Sequence, residues 1–207
     1  MLNNQLAINS KLMNGFSLIE LLIALLLSSI LLAMVIGLYV TGVTSGSKSL
    51  KYSRLRTDIQ SLVTMIEKDV RRAGFGGSDY LVGISANKSI DINSAKNCIV
   101  YYYNHNQSSS LEHSNKMAIS LKNNAIKFKT GVGKVAEDVC SATSGWKGLS
   151  DDKFISISQF ILTEMVTSSA TATIRSLDIT LSGELVSDSQ YSQSVSSRVQ
   201  IRNPEFN

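Results

Sequence analysis

Asn14-Gly15-Phe16-Ser17-Leu18-Ile19-Glu20 opens a run that stays apolar as far as Val40. Between Phe16 and Val40 only Glu20 and Tyr39 can ionise, and only Glu20 is charged at neutral pH. A helix rises about 1.5 Å per residue, so roughly 20 apolar residues cross the hydrocarbon of a bilayer. Phe16–Val40 is long enough. A secretory signal peptide would have a shorter apolar region with its small-residue cleavage site after it. Here the small residue, Gly15, comes before the run, and Ala33-Met34-Val35 is a poor site. A plain membrane anchor has no need of Glu20. An ionised carboxylate costs a few kcal/mol at a bilayer centre and less near an edge, so Glu20 is expected to have a partner.

The helical pattern continues beyond the greasy stretch. Leu55, Ile59, Leu62, Val63, Ile66 and Val70 recur at spacings of three and four, which puts them on one face. Arg54–Asp58 and Glu67–Arg71 are spaced i, i+4 for ion pairs on the other side. Ala73-Gly74-Phe75-Gly76-Gly77 supplies the glycines of a helix stop. The spacing predicts one helix from about Ser17 to Ala73, with an apolar first half and an amphipathic second half. Gly37, Gly42 and Gly46 soften its middle, each costing about 0.5–1 kcal/mol relative to alanine. Two expectations stand there: that Gly42–Gly46 bends or melts on entry into a filament, or that the glycines are helix-packing contacts in the membrane.

From Ser78 the pattern changes to short apolar or alternating runs split by Asn, Ser, Gly and Lys. Strands are predicted at Cys98–Tyr103, Met117–Leu121, Ala125–Thr130, Phe154–Ser158, Ala172–Ile174, Leu177–Leu181 and Ser196–Ile201. Lys122-Asn123-Asn124 reads as a hairpin turn. Gln159–Met165 has a hint of helical period, and Asn104–Asn115 and Ser182–Ser194 read as polar, exposed loops. The fold class is α+β: a long N-terminal helix whose second half packs on an antiparallel sheet.

The 207 residues are 43% hydrophobic with a single proline, which suits one membrane segment and one modest globular domain. Net charge is +4. This mild basicity permits nucleic acid as a partner without pointing to it, because no dense basic block with interleaved aromatics is present. His105 and His113 stand eight apart in a polar loop beside Glu112, without the spacing of a metal motif. Asp151-Asp152 fits a turn better than a calcium site. Tyr101–Tyr103 and Trp146 fit a core better than a base-stacking platform. Cys98 and Cys140 lie too far apart for a C-x-x-C redox motif. No phosphate loop, nucleophile elbow or zinc-protease motif occurs. The reading is a non-enzyme without cofactor or metal.

Gly15-Phe16-Ser17-Leu18-Ile19-Glu20-Leu21-Leu22-Ile23-Ala24 resembles the N-terminal motif of type IV pilins. Met65-Ile66-Glu67-Lys68-Asp69-Val70-Arg71-Arg72-Ala73-Gly74-Phe75-Gly76-Gly77 looks like the helix end of minor pilins of the PilW kind. So do Gly145-Trp146, Asp151–Ile157 and Arg198–Asn203. The J-type pseudopilins of type II secretion share a similar helix ending.

The resemblance implies a leader of residues 1–15, cut by prepilin peptidase after Gly15, with Phe16 then N-methylated. It implies a transmembrane or filament-core helix at 16–41, an amphipathic helix and its turn at 42–77, and a periplasmic β-rich domain at 78–207. Glu20 would face the charged amino terminus of a neighbouring subunit. The implied partners are other minor pilins and the major pilin, prepilin peptidase, an inner-membrane assembly platform, and membrane lipid before assembly. The role implied is initiation of a pilus from the inner membrane. A pilus-tip adhesin or DNA-uptake receptor is the alternative from another class. Export would make Cys98 and Cys140 a disulfide pair. The charge pattern argues the other way, because Lys48, Lys51, Arg54 and Arg56 follow the apolar run while only Lys11 precedes it. Taken alone, the positive-inside rule would leave the C-terminal domain in the cytoplasm.

Overall fold

The structure is a computed structural model that describes Gly15, Ser17–Asn203 and Glu205–Phe206. Helix α1 runs Leu18–Val70 and belongs to two compact units that divide after Lys48.

In the first unit every described residue of α1 is exposed. The apolar stretch reaches a mean hydropathy of 2.9 over eighteen residues. Three of its hydroxyls are satisfied within the helix itself: Ser29 Oγ donates to Leu26 O at 2.8 Å, Thr41 Oγ1 to Gly37 O at 2.9 Å and Thr44 Oγ1 to Val40 O at 2.9 Å. Such back-bonding removes the cost of placing a hydroxyl in an apolar medium. The helix passes through Gly42–Gly46 without a break.

In the second unit α1 buries Leu55, Ile59, Leu62, Val63, Ile66 and Val70, the six residues of the predicted stripe. The helix stops at Val70, and residues 71–76 form turns, three residues short of the expected Ala73. Two sheets pack on the stripe, where one was expected. The first has the order β1 (Ile90–Ile92), β2 (Cys98–Tyr102), β3 (Lys116–Lys122), β4 (Ala125–Thr130) and β5 (Lys147–Gly148), all antiparallel. The second joins β6 (Ile155–Ser168), β7 (Ala172–Leu185) and β8 (Asp188–Gln200), with β9 (Glu205–Phe206) beside β7.

Lys122 and Ala125 face each other across the β3–β4 turn, and Asn123 and Asn124 take φ of 52° and 57°. Asparagine tolerates this left-handed pair better than other side chains do, which is why the turn was readable.

Two expectations fail. Gln159–Met165 is strand, within β6, and Ser182–Ser194 is mostly β7 and β8 rather than a loop. A register shift between Ile157 and Gln159 places Ile155, Ile157, Phe160 and Leu162 all inward. That three-residue step is what imitated a helical period. The serines of β7 and β8 line the solvent face as a ladder, with Thr180–Ser196 at 3.0 Å and Ser182–Ser194 at 2.8 Å. Leu181 and Leu185 fill the inner face of β7.

Gly183 lets the second sheet come close to α1. A Cβ there would lie 2.9 Å from Ile59 Cδ1 and 3.1 Å from Ile155 Cγ2.

β2 is buried on both faces. Ile99 and Tyr101 point into the main core with α1, while Cys98, Val100 and Tyr102 point into a second cluster under helix α2 (Ala136–Ser141). This double cover explains the continuous apolar and aromatic run Cys98–Tyr103. A disulfide joins Cys98 in β2 to Cys140 in α2, with Cα atoms 6.1 Å apart across 42 residues of sequence.

Candidate functional site

At the start of α1, Gly15 and Ser17 are exposed, and Phe16 lies outside the described residues. Ser17 O accepts from the backbone N–H of Glu20 at 3.0 Å and of Leu21 at 3.2 Å, which begins the helical ladder. Glu20 therefore sits in the first turn, where free N–H groups favour a negative charge by about 0.3–1 kcal/mol. Its side chain has no ion-pair partner among the described residues. Around it the helix is apolar on every side: Leu18, Ile19, Leu21, Leu22 and Ile23 are all more than half exposed. A helix apolar all round is not stable against water and needs lipid or other helices about it. Glu20 thus stands as a single carboxylate on a surface built for apolar contact.

In the second unit the polar groups form structural networks. Asp69 accepts from Arg72 Nη2 at 2.6 Å, Tyr103 Oη at 3.3 Å and Tyr101 Oη at 3.3 Å. Arg72 stacks over the Tyr103 ring at 4.5 Å, and the Tyr101 and Tyr103 rings are parallel at 6.2 Å. Burial, reinforced by the Asp69 charge, raises the phenol pKa of Tyr101 well above its ordinary value and pushes that of Tyr103 up to about 12. Burial also pushes Tyr102 up to about 12, and its hydroxyl donates to Val132 O at 2.5 Å. The tyrosine run is core and network, as the sequence suggested.

The two histidines have separate structural surroundings. His105 Nδ1 meets Asn115 Nδ2 at 3.2 Å, while the His113 ring occupies the space that a Cβ at Gly131 would need. Glu112 accepts from Asn106 Nδ2 at 2.7 Å and caps a short 3-10 turn. No metal-ligand cluster occurs among the described residues. Asp151 makes the expected turn, with Lys153 N–H donating to its carboxylate at 3.2 Å, and it also pairs with Arg54 at 3.1 Å. Trp146 donates to Ala142 O at 2.9 Å and packs on the cluster under α2. Arg54–Asp58 pairs at 3.5 Å as its spacing suggested, whereas Glu67 and Arg71 form no ion pair with each other or with any other of the described residues. Sequence reasoning did not single out Asp69, because its partners come from β2 and meet it only through the fold.

The geometry combines an all-apolar helix opening on Gly15 and Glu20 with an amphipathic continuation packed on antiparallel sheets. That is the build of a type IV pilin-like protein, and two comparisons agree with it. Residues 11–36 match the Prokaryotic N-terminal methylation motif, and residues 48–201 match the family described as Prepilin peptidase-dependent protein B. The second match covers well over half of the chain, so this chain belongs to the prepilin peptidase-dependent protein B family. Comparison with curated proteins and with solved structures gave no match. The families indicate a structural, membrane-anchored, pilin-like protein that depends on prepilin peptidase.

Proposed function

We propose that the chain is a minor type IV pilin, of the PilW kind, that takes part in initiating pilus assembly. Prepilin peptidase cuts after Gly15, and Phe16 becomes the N-methylated first residue. The observation that carries this reading is Glu20: one carboxylate without an ion-pair partner among the described residues, in the first turn of a helix with no other charge before Lys48. Before assembly the helix sits in inner-membrane lipid with the globular unit in the periplasm. During assembly its apolar surface exchanges lipid for the helices of other minor pilins and the major pilin, on an inner-membrane platform. The new amino terminus of a neighbour then supplies the cation that Glu20 needs. Opposite charges in a low-dielectric setting stabilise each other where each alone is penalised. An oxidised Cys98–Cys140 pair fits an exported domain.

The test is a gene deletion in a strain whose pilus retraction is blocked, with surface pili counted and secreted enzymes assayed together. Lost pili with intact secretion support the assembly-initiating role. Lost secretion with intact pili makes the chain a J-type pseudopilin and overturns it. Normal levels of both also overturn it, and leave a dispensable tip adhesin or DNA-uptake receptor.

A further inference from the structure

In the turns that follow α1 the backbone carbonyls are already satisfied. Arg202 N–H donates to Arg71 O at 3.1 Å, and Asn203 Nδ2 donates to Arg72 O at 3.2 Å and Ala73 O at 2.9 Å. These carbonyls therefore need no cationic side chain as a cap. Three cations nevertheless gather there: Lys68 from the last turn of α1, Arg71 from the turn that follows it, and Arg202 from the segment after β8. None of them has an ion pair or a side-chain hydrogen bond among the described residues. Nearby arginines do: Arg72 pairs with Asp69 at 2.6 Å, and Arg198 grips Asp178 through two nitrogens at 2.5 and 2.8 Å. Glu67 lines the same surface without pairing with Arg71. The helix dipole accounts for basic residues in the last turn of α1, but it does not account for Arg202.

Arg71 and Arg202 both line three adjoining clefts of about 590, 440 and 430 Å³. The 440 Å³ cleft adds an aromatic wall of Phe75, which is 52% exposed, with Tyr103 and His105. Its chemistry is two free guanidinium forks beside an exposed apolar ring.

We propose that this cleft is a docking site for an acidic segment of a neighbouring polypeptide. Carboxylates of that segment pair with Arg71 and Arg202, and an apolar side chain next to them rests on Phe75. Charge complementarity selects the occupant, because a planar guanidinium matches a carboxylate with two parallel hydrogen bonds. A nucleic acid would call for a row of cations along its phosphates. Here the two free guanidinium forks share one concavity beside Phe75, a pair rather than a row. The proposal rests on reading the chain as an assembling subunit and names one surface through which it would choose a neighbour.

The test uses the full chain in detergent micelles and a fluorescent, end-capped peptide, Glu-Glu-Phe-Glu-Glu, titrated to millimolar concentration. Binding is expected, and it should weaken by about tenfold or more in the double variant Arg71→Gln/Arg202→Gln. The Gln-Gln-Phe-Gln-Gln peptide should not bind. The variant Lys127→Gln/Lys129→Gln, which removes the same charge from β4, should bind as the parent does. Circular dichroism checks that each variant is folded. Absence of peptide binding overturns the proposal, as does equal binding by the Arg71/Arg202 variant. An oligothymidine that binds more tightly than the peptide, and is lost in the same variant, also overturns it and makes the cleft a nucleic-acid site. Because binding in micelles does not depend on pilus formation, failure here is separable from failure of the deletion experiment.

Discussion

The segment of α1 up to Lys48 and the segment from Ser49 to Val70 share one helical ladder, yet they are built for different surroundings. In the first, apolar residues go all the way round and none is buried. In the second, six apolar residues make a single stripe, and all six are buried by the sheets of their own unit. One segment is covered by its own unit, and the other is uncovered among the described residues. Helix propensity does not separate the two. The angular spread of apolar side chains does, and it separates the half that packs within its own unit from the half that stays exposed.

Substitutions in the two segments should therefore fail in different ways. The largest effect is expected from Ile59→Asp, which puts a charge in the main core and should unfold the globular unit, while Leu31→Ala leaves its stability within about 0.5 kcal/mol. Urea denaturation of the full chain in detergent measures both, and a comparable loss in the two variants would break the comparison.

Next is the disulfide. Cys98→Ala/Cys140→Ala should cost about 3–4 kcal/mol by releasing the closed loop in the unfolded chain, with no effect on membrane insertion. A variant as stable as the parent under oxidising conditions would show that the link between β2 and α2 does not stabilise the unit.

Glu20→Ala should leave the globular unit intact and insertion unchanged, but lower recovery in sheared filaments about tenfold, equivalent to about 1.4 kcal/mol. Normal recovery would remove the carboxylate from the account of assembly.

A smaller effect is expected at Gly42–Gly46, where the helix is continuous in the single chain. Their combined propensity cost of about 1–2 kcal/mol should let this stretch open first in a filament. Hydrogen exchange as slow there as at Ile59–Val70 would contradict this.

The smallest effect is a pH dependence confined to the second segment's partners. Unfolded tyrosine titrates near pH 10, and burial pushes Tyr102 and Tyr103 up to about 12 in the folded unit. The folded state holds these protons more tightly. The stability they contribute is whole below about pH 10 and is lost as pH rises through about 12. Denaturation midpoints across that window, compared with Tyr102→Phe, measure it. A parent curve that does not fall faster than the variant's would count against it.

Much of this contrast is written locally. The stripe Leu55–Val70, the Asn123-Asn124 turn and the Cys98–Tyr103 run could be read because each depends on neighbours a few residues away. Other features could not. The shift after Ile157 disguised the long strand β6, and the serine ladder of β7 and β8 disguised a sheet face as a loop, because hydroxyls there bond to one another across strands. The pairing of Asp69 with two tyrosines of the β2 run depends on residues more than 30 apart. Arg202 meets the end of α1 only once the whole unit has closed. The expected Glu67–Arg71 pair failed for the converse reason: helical spacing allows such a pair without requiring it.

The Asn203 clasp on the turns after α1 also has a consequence in time. Asn203 reaches back to carbonyls made 131 and 130 residues earlier. During synthesis the apolar segment is complete, and able to enter a bilayer, long before this clasp exists. Closing so long a loop is slow compared with forming a helix. The globular unit should thus reach its final form only after residue 203 has emerged, with the anchor already in place. A chain stopped before residue 203 would lack these two hydrogen bonds beside the end of its helix.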